Sequence, residues 1–114
     1  MPFVQITNNE VKLIGENFQT LRTIATNARS ADRHSKNPTS VIVHTDGRVV
    51  LYDDDAKTLR TVTSGGSSGV FSGDDLIIKK SNGKTEVWTQ TGQLLRTMDS
   101  GINIKKLLKD YENT

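Results

Sequence analysis

Chemistry in this chain would have to come from few residue types. His34 and His44 are its only imidazoles, and it has no cysteine. A thiol nucleophile, a thiolate zinc site and a disulfide framework are therefore excluded. The histidines form no paired ligand motif such as HExxH. The carboxylate clusters Asp53-Asp54-Asp55 and Asp74-Asp75 lack the alternating spacing of a calcium loop. Consecutive carboxylates on a turn point in different directions, so turn chemistry is the expectation for both. No serine occupies a GxSxG elbow. The glycine-rich stretch Ser64 to Gly73, SGGSSGVFSG, matches neither phosphate-binding pattern, and the Asp74-Asp75 that follows would repel phosphate. These observations predict no enzyme, no metal and no cofactor.

Arginine is the residue type with a pattern. Arg22, Arg60 and Arg96 recur in register, each inside Leu-Arg-Thr followed by an apolar residue. Arginine holds carboxylate or phosphate through a bidentate fork, so three equivalent arginines are either contacts between units or a set of matching anion sites. Arg29, Arg33 and His34 lie in the most polar long segment, Asn27 to Ser40, with Lys36 and against Asp32 alone. The expectation there is a loop covering a short inner strand near Arg29 to Arg33, with anion contact as the functional alternative. The candidate binding residues are thus Arg22, Arg60, Arg96, Arg29, Arg33 and His34.

The arginines belong to a threefold repeat that must position them. The copies are NEVKLIGENFQTLRTI from Asn9, GRVVLYDDDAKTLRTV from Gly47 and GKTEVWTQTGQLLRTM from Gly83. Leu21, Leu59 and Leu95 are 38 and 36 residues apart, the period of a repeated supersecondary unit. Each copy predicts two strands and a turn. A further strand precedes it: Phe3 to Ile6, Val41 to His44 and Leu76 to Lys79. Asp46-Gly47 and Asn82-Gly83 between apolar runs are hairpin signals. Each unit is therefore an antiparallel meander. The units are expected at about 3–26, 41–63 and 70–98, within one domain spanning 1–114.

The runs NGKTEVWTQTGQLLRT and DGRVVLYDDDAKTLRT resemble the outer three strands of a β-propeller blade, as in WD-repeat and related propellers. The departures from that family are specific. Trp88 is followed by Thr89, only Tyr52-Asp53 approaches the Trp-Asp pair, and Gly-His is absent. The resemblance implies a shape and carries over no binding residue.

After the third copy the period changes. In SGINIKKLLKDYENT, Ile104, Leu107, Leu108 and Tyr111 share one helical face, which predicts a docking helix over about 103–112. The fold class expected is all-β with this C-terminal helix: three blade-like meanders forming half a propeller. Propellers close with four to eight blades and open edges invite aggregation, so a homo-oligomer, with a dimer favoured, would complete the ring. A β-trefoil or small β-barrel closing within one chain is the alternative.

Composition bounds the rest. The chain of 114 residues is 33% hydrophobic with a net charge of +2. It shows no clustered basic stripe of the nucleic-acid kind. It has no apolar run long enough to span a membrane, and its start, MPFVQITNNE, has no secretory pattern. The expectations are no nucleic acid, no membrane and a cytoplasmic location. The function expected is a non-enzymatic protein-interaction or structural module acting through an oligomeric repeat surface. The alternative is a small-ligand or carbohydrate-binding, lectin-like protein using Trp88 and Tyr52.

Overall fold

The structure, a computed structural model, describes residues 2–98. The expected helix over 103–112 lies outside the described residues. Among the described residues eleven strands form three antiparallel sheets, each a meander. The first sheet has three strands: β1 (Phe3–Thr7), β2 (Glu10–Ile14) and β3 (Thr20–Ala25). The second has four: β4 (Ala28–Arg33), β5 (Thr39–His44), β6 (Val49–Asp53) and β7 (Thr58–Thr63). The third repeats it with β8 (Gly66–Ser72), β9 (Asp75–Lys80), β10 (Thr85–Thr89) and β11 (Leu94–Met98). Among the described residues no ladder joins one sheet to another. The described residues therefore form separate blades, and the closed barrel that a β-trefoil requires is not formed.

The inner strands expected within the two linking stretches are β4 and β8. Their sequences, ARSADR and GSSGVFS, are polar and small because they sit between neighbouring sheets. Ala28 is fully buried. A Cβ added to Gly66 would lie 2.7 Å from Val49 Cγ2, so only glycine allows this approach.

The apolar core lies between the sheets, in two clusters. Val11, Leu13, Ile24 and Ile42 fill the space between the first and second sheets, with Val4, Ile6, Ala31 and Tyr52 against them. Val41, Val43, Leu51, Leu76 and Ile78 fill the space between the second and third, with Phe71 and Trp88 against them. The middle sheet is thus covered on both faces. Alternate residues of β5 feed opposite clusters, and that is why Val41-Ile42-Val43 is a continuous apolar run.

The outer hairpins share one irregularity. Ile14 pairs with Thr20 and Leu13 with Arg22, leaving Leu21 as the extra residue of a bulge. Leu59 is the extra residue between Thr58 and Arg60, and Leu95 between Leu94 and Arg96. In the preceding turns Phe18, Ala56 and Gly92 occupy equivalent left-handed positions, with φ of 62°, 66° and 91°. In the β5–β6 turn the Arg48 N–H and guanidinium donate to the Asp46 carboxylate at 3.0 and 2.8 Å, which holds that carboxyl below its ordinary range.

Candidate functional site

The polar groups concentrate at one end of the inner strands. There β4 ends at Arg33, and His34 follows it into the loop. The Arg33 guanidinium holds Asp54, on the β6–β7 turn, through a fork: Nε to Oδ1 at 3.1 Å and Nη2 to Oδ2 at 2.7 Å. Its Nη1 donates weakly to the Pro2 carbonyl at 3.4 Å. The pair is largely buried, with 10% of the Arg33 side chain and 26% of the Asp54 side chain exposed. Such geometry satisfies the Asp54 carboxylate and commits the Nε and Nη2 edge of Arg33 to it.

His34 is buried at 3% exposure. Its Nδ1 accepts from the backbone N–H groups of Lys36 and Asn37, both at 3.0 Å. That fixes the proton on Nε2, which donates to the Asp74 carboxylate at 2.8 Å. The ring packs edge-on against Phe71, with centroids 5.0 Å apart. His34 therefore ties the second sheet to the β8–β9 turn of the third. A His-Asp pair can serve a nucleophile, but both ring nitrogens here are engaged, so the imidazole has no lone pair for a substrate proton.

Beside these residues a cleft of about 200 Å³ opens between Phe3 and Val4 of β1 and Ala31, Asp32, Arg33 and His34 of the second sheet. Its apolar wall is the end of β1, and its charged wall is already self-neutralised. Two further contacts bind β4 to β8: the Asp32 carboxylate accepts the Phe71 N–H at 2.8 Å, and the Ser30 hydroxyl accepts the Gly69 N–H at 3.3 Å.

The other candidate residues are dispersed. Arg29 donates to the Thr45 carbonyl. Arg22 reaches Asp55 of the second sheet at 3.7 Å, with both side chains exposed. Arg60 lies against Gly92 of the third sheet, where an added Cβ would come within 3.3 Å of its Cδ. Arg96 occupies the equivalent place on β11, an exposed strand. The repeated arginines thus reach from one sheet to the turn of the next. The structure groups Arg33 with His34 and leaves Arg22, Arg60, Arg96 and Arg29 apart.

Several contributors were not visible in the chain. Asp74 is 40 residues from His34 and carries no local sign of that pairing. His44, at 5% exposure, places Nδ1 3.0 Å from the Thr26 carbonyl and accepts from the Tyr52 hydroxyl at 2.8 Å. At the equivalent position Lys80 donates to Thr63 Oγ1 at 3.0 Å and to the Ser64 carbonyl. The repeat itself could have signalled this, since His44 and Lys80 each precede the same turn and reach the preceding sheet. Trp88 donates through Nε1 to Glu86 at 2.9 Å and packs on the core. Among the described residues no group of three or more His, Asp or Glu is placed to hold a metal ion, and no helix is long and apolar enough to cross a membrane.

No protein-family model matches the chain, and no curated protein matches it. Among solved structures it is similar to the crystal structure of Sqt1 from Saccharomyces cerevisiae, a WD-repeat protein. The TM-score is 0.66 at 22% sequence identity, over 80% of this chain. The fold is propeller-like. The chain spans 28% of the length of Sqt1. The Trp-Asp signature is missing from every copy of the repeat.

Proposed function

We propose that this chain is a non-enzymatic protein-interaction module built from propeller-like sheets. The observation that carries the reading is the placement of the repeated leucines. Leu21, Leu59 and Leu95, which recur in register in the sequence, are 48%, 52% and 48% exposed at equivalent bulges of the outer hairpins. A single exposed leucine is unremarkable. Three at one structural position present the same apolar contact, beside an arginine, on each sheet. The histidines and Arg33, which could have served a reaction, are instead engaged in holding elements together. Likeness to a WD-repeat protein supports the same reading.

The carbohydrate alternative gains no support from its aromatics. Tyr52 and Trp88 pack between sheets and use their polar atoms internally. The test is capture with immobilised wild-type chain and with L21S/L59S/L95S, both shown folded by circular dichroism. The expected result is a protein that rebinds the wild type as a pure component and binds the triple variant at least ~10-fold more weakly. Equal binding by both chains, or turnover of a small molecule by the pure protein, would overturn the reading.

A further inference from the structure

Both histidines are buried, and they differ in what a second proton on the ring would meet. At His44 the partners can adapt. Its Nδ1 donates to the Thr26 carbonyl, and its Nε2 accepts from the Tyr52 hydroxyl. A hydroxyl both donates and accepts, so the Tyr52 oxygen can turn to receive a bond from a protonated Nε2. No bond is lost there.

At His34 the partners cannot adapt. Nε2 already carries the proton given to Asp74, so a second proton must go to Nδ1. That atom accepts from the backbone N–H groups of Lys36 and Asn37, both at 3.0 Å. A backbone N–H only donates. A proton on Nδ1 therefore sets a donor against two donors, at a ring that is 3% exposed, and leaving such groups unpaired is costly. The same two bonds wrap the β4–β5 loop around the ring. A bond from the Thr39 N–H to the Asn37 carbonyl at 2.8 Å closes the loop behind them. Ser35, Lys36, Asn37 and Pro38 are all exposed, so they can swing outward without opening a core.

The charges around the ring decide what it keeps when the loop goes. From the β8–β9 turn Asp74 is bonded to it, and Asp75 follows at the start of β9. From β4, Asp32 is turned to the Phe71 N–H, and Arg33 is held by Asp54. Lys36 lies on the loop itself. The Asp74 side chain is 85% exposed and can follow the ring whether the loop is closed or open. Its attraction for an imidazolium therefore does not hold the loop shut. The open loop binds one proton more than the closed loop, so closure is favoured at high pH and is lost as pH falls.

We propose that His34 is a pH-sensitive latch on the β4–β5 loop: the neutral ring holds the loop closed, and a proton on Nδ1 releases residues 35–38 while Asp74 keeps the ring. Ser35 and His34 also line the cleft beside β1, so release alters one wall of that cleft. The latch stands apart from the interaction reading, which concerns the outer hairpins. The test is NMR spectroscopy of the full chain. At high pH the ring nitrogen shifts should place the His34 proton on Nε2. From about pH 8 to about pH 5, the range in which histidine changes charge, the Lys36 and Asn37 amides should lose at least ~10-fold of their exchange protection, each rate taken against its intrinsic value at that pH. The loss should share its midpoint with the His34 ring, and the β5 amides should keep their protection. His44→Gln should retain the transition, and His34→Gln, which takes up no proton, should lack it. The shared midpoint in the wild type decides the matter even where His34→Gln fails to fold. Unchanged protection across the range, a loop midpoint displaced from that of the ring, simultaneous loss in β5, or a transition kept by folded His34→Gln would each overturn the proposal.

Discussion

Ser40 shows how closely the residue scale is set by the sheets around it. It is 1% exposed in the middle sheet, and its hydroxyl has no hydrogen-bond partner among the described residues. At the equivalent position β9 places Leu76, which is fully buried. A buried hydroxyl without a partner costs about 1–3 kcal/mol relative to water. Ser40→Ala should therefore raise stability by about 1 kcal/mol, read as a higher urea midpoint at unchanged slope. A lower midpoint would mean that the hydroxyl is satisfied. Ala56 is a second such case. It holds φ at 66° in the turn where the third sheet uses Gly92. A Cβ in that conformation costs about 1–2 kcal/mol, partly offset by the larger freedom glycine loses on folding. Ala56→Gly should thus stabilise by a few tenths to about 1 kcal/mol, and Gly92→Ala should destabilise by more, because the new methyl also presses on Arg60.

Elements differ in how much their own sequence says about them, and the reason is what each one packs against. The outer hairpins were legible. They alternate apolar and polar residues, and Asp46-Gly47 and Asn82-Gly83 mark the β5–β6 and β9–β10 turns that lead into them. The Leu-Arg-Thr triplets fixed the period. What those triplets hid was the bulge, which turns a recurrent leucine outward; a bulge changes register without changing composition. The inner strands were legible only as short insertions in polar linkers, because β4 and β8 are selected for closeness and for side chains that bond a neighbour's backbone. The candidate site follows the same rule. Arg33 and His34 were singled out, but Asp54 and Asp74, which occupy them, meet them only through the fold. The close approach is testable at Gly66. A methyl there would meet Val49 Cγ2 at 2.7 Å between β8 and β6, both held by ladders. Gly66→Ala should cost about 1–3 kcal/mol by overpacking. At Gly73, where an added Cβ meets nothing within 4 Å, alanine should cost only its left-handed strain.

At the scale of the molecule, three sheets in a row share two cores among the described residues. Each terminal sheet is held chiefly by the middle one, so stability is close to a sum over neighbours, as in repeat proteins. Neighbouring residues of β5 can separate the two interfaces. Ile42 is fully buried in the cluster between the first and second sheets, and Val43 is fully buried in the cluster between the second and third. Ile42→Ala should cost about 2–5 kcal/mol through lost burial and a cavity. That loss should fall on one side. Amides of β1 to β3 should exchange faster with solvent, while β9 to β11 stay near wild-type protection. Val43→Ala should reverse the asymmetry at a smaller cost, since fewer atoms are removed. Hydrogen exchange resolved by strand reads both outcomes in one experiment. If both variants accelerate all three sheets equally, the sheets unfold as one unit, and the row behaves as a single core. If the effects separate, each sheet is a module held by its neighbours, and a terminal sheet gains most from whatever covers its outer face.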